Sequence, residues 1–170
     1  MIDWCTFETP LGTMLATAEA GALTGLYFAG QKYSPEPGDD WRERPDAAPF
    51  AAVREQVAAY FAGTRSAFDL PLLPKGGRAT GFQREVWRRI AEVPTGSTIT
   101  YGELARRRGR PAAVRAAGAA TGRNPVSLIV PCHRIVGHDG ALTGYAGGVE
   151  RKRALLALER GTAAATSAAR

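Results

Sequence analysis

Cysteine is scarce in this chain, with only Cys5 and Cys132 among 170 residues. Two thiols so far apart make no disulfide framework, and their reduced state suits a reducing compartment. Histidine is as rare, with only His133 and His138. A metal centre would have to draw on these four side chains, and the adjacent Cys132 and His133 rarely share one metal in so small a ring, so no metal is expected. No apolar run approaches the length of a membrane helix, and the start, Met1-Ile2-Asp3-Trp4, has no basic segment leading into an apolar one. A cytoplasmic protein is the expectation. The length allows one ordinary domain or two small ones with a genuine hydrophobic core.

Acidic residues are short in one half only. Residues 1–77 carry 6 basic and 10 acidic side chains, a net of −4, whereas residues 78–160 carry 15 and 6, a net of +9; Arg170 adds one more, giving +6 overall. A solvated basic surface would account for this. A one-signed field also suits a polyanionic partner.

In the first half, residues 4–7, 13–17 and 23–28 look like strands of an antiparallel sheet, with a turn at Pro10-Leu11-Gly12. Residues 30–48, rich in Pro, Gly and charge, read as an irregular excursion. Phe50, Val53, Val57 and Phe61 recur at three and four residues, which predicts a helix with one apolar stripe, ended at Gly63. Residues 70–78 have a linker's composition, and the domain boundary is placed there, after residue 77.

The second half opens with a helix: Thr80 and Gln83 form a capping box, and Phe82, Val86 and Ile90 share a face beside Trp87. After the Val93-Pro94-Thr95-Gly96 turn, Thr100 is placed to cap a second helix with Glu103 reaching back, which puts Tyr101 in its first turn. Pro111 then opens a third helix to about Ala120, and the pair reads as a helix-turn-helix. The third helix is almost all small residues around a single long cation, Arg115. Close packing on neighbours explains such smoothness; so does close approach to a duplex with one side chain entering the stack.

Asn124-Pro125 turns the chain into residues 126–130, an apolar stretch that reads as a buried strand delivering Pro131-Cys132-His133-Arg134. A lone intracellular Cys is usually a small buried hydrophobe, but a thiol beside an imidazole at the end of a core element suits nucleophilic chemistry. Glycines in residues 143–148 let backbone N–H groups approach a ligand. A last helix, residues 150–160, carries Glu159 near its end, where a carboxylate reaching the imidazole would complete a Cys-His-acid arrangement. Residues 161–170 read as a flexible tail.

These residues together resemble the O6-alkylguanine-DNA alkyltransferase family, also called methylated-DNA–protein-cysteine methyltransferases. Residues 129–136 around Pro131-Cys132-His133-Arg134 are similar to its signature, Asn124-Pro125 stands at the expected distance, and residues 143–148 and 151–159 continue the match. The resemblance implies an α+β protein with an N-terminal ribonuclease-H-like domain and a C-terminal winged-helix-like domain holding the site. It implies single-turnover repair without a cofactor: an alkyl group, chiefly methyl, passes from O6 of guanine in a flipped-out nucleotide of duplex DNA to Cys132, with O4 of thymine left open as a second donor position. The implied relay runs Cys132, water, His133, Glu159; Tyr101 helps rotate the nucleotide and protonates guanine N3, and Asn124 supports the turn behind the thiol. DNA contacts fall on Thr100, Tyr101, Arg110, Ala113, Arg115 and Gly118, with Arg115 filling the vacated space; the alkylguanine pocket falls on Val136, Tyr145, Ala146 and Gly147. The implied form in solution is a monomer, with cooperative assembly on DNA left open.

Departures concern size and metal. Some members bind zinc in the first domain, where this chain offers Cys5 alone; some have Pro where Ser127 stands and a smaller residue near Thr143, which bears on how bulky a substituent fits. Three other readings compete. A DNA-binding regulator would leave Cys132, His133 and Glu159 unexplained, a lesion sensor would lack the acceptor cysteine, and a cysteine hydrolase would leave the basic half without purpose.

Overall fold

The structure, a computed structural model, describes the backbone of residues 1–168 and the side chains of residues 1–165. The chain divides into two compact units: Met1–Ala79 together with Pro125–Ser127, and Thr80–Asn124 together with the chain from Leu128 onward.

The first unit is a four-stranded sheet carrying one helix. Strands β1 (Ile2–Thr9), β2 (Gly12–Glu19) and β3 (Ala22–Phe28) form an antiparallel meander, and β4 (Trp41–Glu43) pairs parallel to β1, giving the order β3-β2-β1-β4. The β2–β3 turn uses Ala20 and Gly21, both at positive φ, the backbone hand that matches strand twist in a two-residue hairpin. Helix α1 (Phe50–Phe61) has the predicted bounds; Phe50, Val53 and Val57 are fully buried as it packs on β1, each side chain contributing about 1.5–3 kcal/mol of burial.

Two parts of this unit differ from the sequence reading. The irregular stretch 30–48 contains β4, too short to show an alternating pattern. The linker-like stretch is in part sheet: Leu23 donates to Pro71 O and Leu73 donates to Leu23 O, so residues 71–73 lie along the outer edge of β3. Residues 125–127 cover the same edge further along, with Leu26 donating to Pro125 O at 2.7 Å and Ser127 donating to Leu26 O at 2.9 Å. An open edge is thereby closed by two segments from outside the meander.

In the second unit, α2 (Gly81–Ala91) starts at the expected capping box, with Gln83 N donating to Thr80 Oγ1 at 3.1 Å and Thr80 N to Gln83 Oε1 at 3.2 Å. Trp87 is core, and its indole donates to Ala120 O at 2.8 Å. Strand β5 (Ile99–Thr100) pairs parallel with β6 (Ile135–Val136), a two-residue ladder with no sequence signal. Helix α3 (Tyr101–Arg107) is capped by Thr100, but Glu103 does not reach back; its carboxylate holds Arg106 and Arg107 instead, two cations one turn along the same face.

The predicted third helix is split. Pro111–Ala113 form a 3-10 turn, and α4 (Val114–Gly122) follows, because Ala113, at φ −93° and ψ 29°, departs from helical dihedrals. The predicted strand 126–130 is also absent: only Val126 makes a bridge, and residues 127–129 form a turn in which Leu128 has φ +72°. Helix α5 (Val149–Ala168) continues through most of the expected tail, since alanine favours helix strongly and Gly161 costs only about 1 kcal/mol; residues 169–170 lie outside the described residues.

Thr80→Ala removes the hydroxyl that closes the capping box. It is expected to lower stability by about 0.5–2 kcal/mol, read as a lower urea midpoint; an unchanged midpoint would show that the cap contributes nothing.

Candidate active site

Cys132 opens a one-turn 3-10 segment, Cys132–Arg134, directly after the 127–130 turn. Its backbone N–H donates to Val130 O at 2.8 Å, and Asn124 Nδ2 donates both to Val130 O at 2.7 Å and to Cys132 Sγ at 3.2 Å. One amide thus holds the turn and touches the thiol, which is why Asn rather than a smaller turn residue fits at 124. Burial pushes the Cys132 thiol up, against the Asn124 hydrogen bond and the charge of Lys152. The resting group is a thiol that needs a base.

The base beside it in sequence is fully buried. His133 Nε2 stands 2.9 Å from Glu159 Oε2, within reach of a hydrogen bond. His133 Nδ1 is buried with no partner among the described residues. Burial lowers the imidazole's pKa despite the pull of Glu159, so it is neutral at pH 7 and free to take a proton. Burial by itself would raise the Glu159 carboxyl, but hydrogen bonds from Arg134 and His133 and the charges behind them hold it at about 2.

Two residues that sequence reasoning did not single out belong to this cluster. Arg134 grips Glu159 with Nε to Oε1 and Nη2 to Oε2, both at 2.8 Å. Lys152, which stands between Arg151 and Arg153 at the start of α5, is completely buried; its Nζ donates to Ile135 O at 2.5 Å and Thr143 O at 3.0 Å. That ammonium ties the catalytic turn to the glycine-rich loop while placing a cation near the thiol. A lysine flanked by apolar α5 positions at the helix period was the available signal.

The remaining predicted residues fall into two groups. Tyr101, the first residue of α3, donates its hydroxyl to Gly144 O at 3.3 Å, and Lys152 Nζ lies 5.9 Å from its ring centre; a Cβ on Gly118 of α4 would meet the Tyr101 ring at 3.8 Å. Tyr145 is buried, its ring edge-on to His133 at 6.4 Å between centres, and Val136 and Gly147 are buried nearby in sequence while Ala146 is half-buried. Arg110 and Arg115 are exposed on either side of the 3-10 turn containing Ala113, and Thr100 caps α3. His138 is exposed in its loop.

A buried thiol, a neutral imidazole next to it in the chain and an ionised carboxylate against that imidazole are the groups that base-assisted sulfur chemistry needs. Two family models match the chain: the 6-O-methylguanine DNA methyltransferase ribonuclease-like domain over residues 2–74 and the DNA-binding domain of the same family over residues 81–161. A methylated-DNA–protein-cysteine methyltransferase of Mycolicibacterium paratuberculosis is 45% identical over 160 residues, covering 94% of this chain and 93% of that protein. One from Methanosarcina acetivorans is 44% identical, covering 90% and 95%. The crystal structure of Mycobacterium tuberculosis OGT in complex with DNA superposes with a TM-score of 0.86 at 41% identity, covering 94% of each chain.

The cluster makes the folded chain acid-sensitive. The unfolded chain binds a proton at His133 near the ordinary value of 6.5, where the folded chain does not, so stability falls as pH drops below that. Glu159 adds stability that is complete above its ordinary 4.5 and is lost as pH falls from there toward about 2. Urea unfolding from pH 7 to 3 is expected to show a decline of at most about 1.4 kcal/mol per pH unit for each group. His133→Gln is expected to abolish the upper decline, and a wild-type stability that is flat from pH 7 to 5 would contradict a buried neutral imidazole.

Proposed function

Because the chain belongs to the 6-O-methylguanine DNA methyltransferase family, we propose that Cys132 is the acceptor of its repair reaction and that His133, Glu159, Asn124 and Tyr101 serve that transfer. The reaction is direct reversal of DNA alkylation, in which a methyl group passes from O6 of guanine to a cysteine of the protein, once per molecule. The observation that carries the assignment to Cys132 is its contact with Asn124 next to the His133–Glu159 pair. Cys5, the other thiol, lies buried in β1, where Arg54 is its polar neighbour.

In this reading a water bridges the Cys132 thiol to His133, which takes the proton as Glu159 steadies the imidazolium. The thiolate attacks the methyl carbon, the S–C bond forms as the C–O6 bond breaks, and the electron pair leaves with the purine. Tyr101, its own pKa raised by burial and by the Cys132 charge, stays protonated and donates at N3. The products are unmodified guanine and S-methylcysteine, a thioether with no route back to a thiol.

Guanine O6 is paired inside the duplex, so the nucleotide leaves the stack, at an unstacking cost of a few kcal/mol that phosphate contacts offset. The exposed Arg115 at the start of the smooth α4 fills the gap, and Thr100, Arg110, Ala113 and Gly118 line the approach. The flipped base is received by Val136, Tyr145, Ala146 and Gly147. Methyl is the group transferred; O4-methylthymine is the second substrate to test.

Incubation with a duplex containing O6-methylguanine is expected to add one methyl group per chain, on Cys132, with no second turnover by intact and peptide mass. Cys132→Ser is expected to bind the duplex and transfer nothing, and an active serine variant would sink the assignment. Arg115→Ala is expected to slow transfer from duplex by roughly tenfold or more, what about 1.4 kcal/mol of lost flipping energy represents, and to leave the reaction with free O6-methylguanine base unchanged; equal slowing of both would remove Arg115 from the flipping step.

A further inference from the structure

Arg134 follows His133 in the chain, and its side chain is only 7% exposed. Every nitrogen it carries is engaged: Nε and Nη2 on the two oxygens of Glu159, Nη1 on Val93 O at 2.6 Å, and Nη2 also on Thr95 Oγ1 at 3.1 Å. A fork held at both ends fixes the plane of the carboxylate as well as its charge. Oε2, the oxygen nearest His133, is therefore presented as an acceptor only. The ring nitrogen facing it must carry the hydrogen, which leaves the lone pair on Nδ1, the buried nitrogen without a partner among the described residues.

We propose that Arg134 is a positioning residue of the transfer reaction: by clamping Glu159 to the 93–95 turn it sets the tautomer and aim of His133, so that Nδ1 receives the Cys132 proton. The role rests on the reading of Cys132 as acceptor and is exerted through Glu159 and His133. The charged and titratable groups around the imidazole are Glu159 and Lys152 from α5, Arg134 and Cys132 from its own turn, and Tyr145 from the loop that leads into α5. Glu159 favours the imidazolium, while Arg134 and Lys152 oppose it. Loss of the guanidinium charge thus raises the pH at which His133 becomes a base, whereas lysine keeps the charge and loses the fork.

Single-turnover transfer from an O6-methylguanine duplex is measured between pH 5.5 and 8.5 for wild type, Arg134→Lys and Arg134→Gln, alongside duplex affinity. Arg134→Lys is expected to transfer about 10–100-fold more slowly with duplex affinity and the acid limb unchanged; Arg134→Gln is expected to be as slow with its acid limb moved to higher pH. Folded variants with the wild-type rate and profile, or a rate loss matched by an equal loss of duplex affinity, overturn the proposal. Should neither fold, Thr95→Val, which removes one acceptor from Nη2, is expected to slow transfer a few-fold without loss of affinity, and a wild-type rate overturns it. A wild type that leaves Cys132 unmethylated sinks the acceptor reading instead.

Discussion

An ionised carboxylate that is 1% exposed has to be paired, and the arrangement around Glu159 follows from that demand. Its partners come from separate stretches of chain: His133 and Arg134 from the turn after the thiol, and through Arg134 the residues 93–95 that follow α2. Loss of a single partner from such a buried cluster costs about 3–5 kcal/mol because the remaining charge is uncompensated. The pairing therefore fixes where α5 meets the 132–134 turn and keeps the carboxylate ionised, while burial keeps the imidazole neutral against the pull of Glu159. Stability and reactivity share one set of atoms.

The thiol is governed by opposing effects of the same kind. Burial favours the protonated form, while the Asn124 amide and the Lys152 ammonium favour the thiolate. A group balanced in this way rests as a thiol and needs a base to become a nucleophile. That suits a residue that is used once. Lys152 also spans Ile135 O and Thr143 O, so a single cation influences the nucleophile and ties the loop that approaches it.

Much of the fold was legible in local patterns. The strands of the meander, α1 with its apolar stripe and the Thr80–Gln83 box all arise from interactions within a few residues, which periodicity and side-chain chemistry report directly. The elements that were missed or misread depend on partners distant in sequence. Strands β4, β5 and β6 are two or three residues long and exist because another strand is there to pair with. Residues 126–130 are apolar enough for a strand, but Asn124 captures Val130 O and Leu128 takes a positive φ, so the ladder never extends beyond Val126. Glu103 had two local options, and two arginines outcompeted one backbone N–H.

For the site, the sequence by itself determined the chemical groups on offer: a Cys-His pair in a recognisable setting, a basic half, a smooth helix with one arginine, and a match to the 6-O-methylguanine DNA methyltransferase family. Residue identity sets what a side chain can do, and that is readable without coordinates. Only the tertiary structure decided which charges are buried. Lys152 looks like a solvated cation between Arg151 and Arg153, Arg134 like one more exposed arginine and Glu159 like a surface acid, until the fold removes water from all three. Desolvation belongs to the assembled core rather than to any stretch of chain, and it turns ordinary ionisable residues into a mutually dependent cluster.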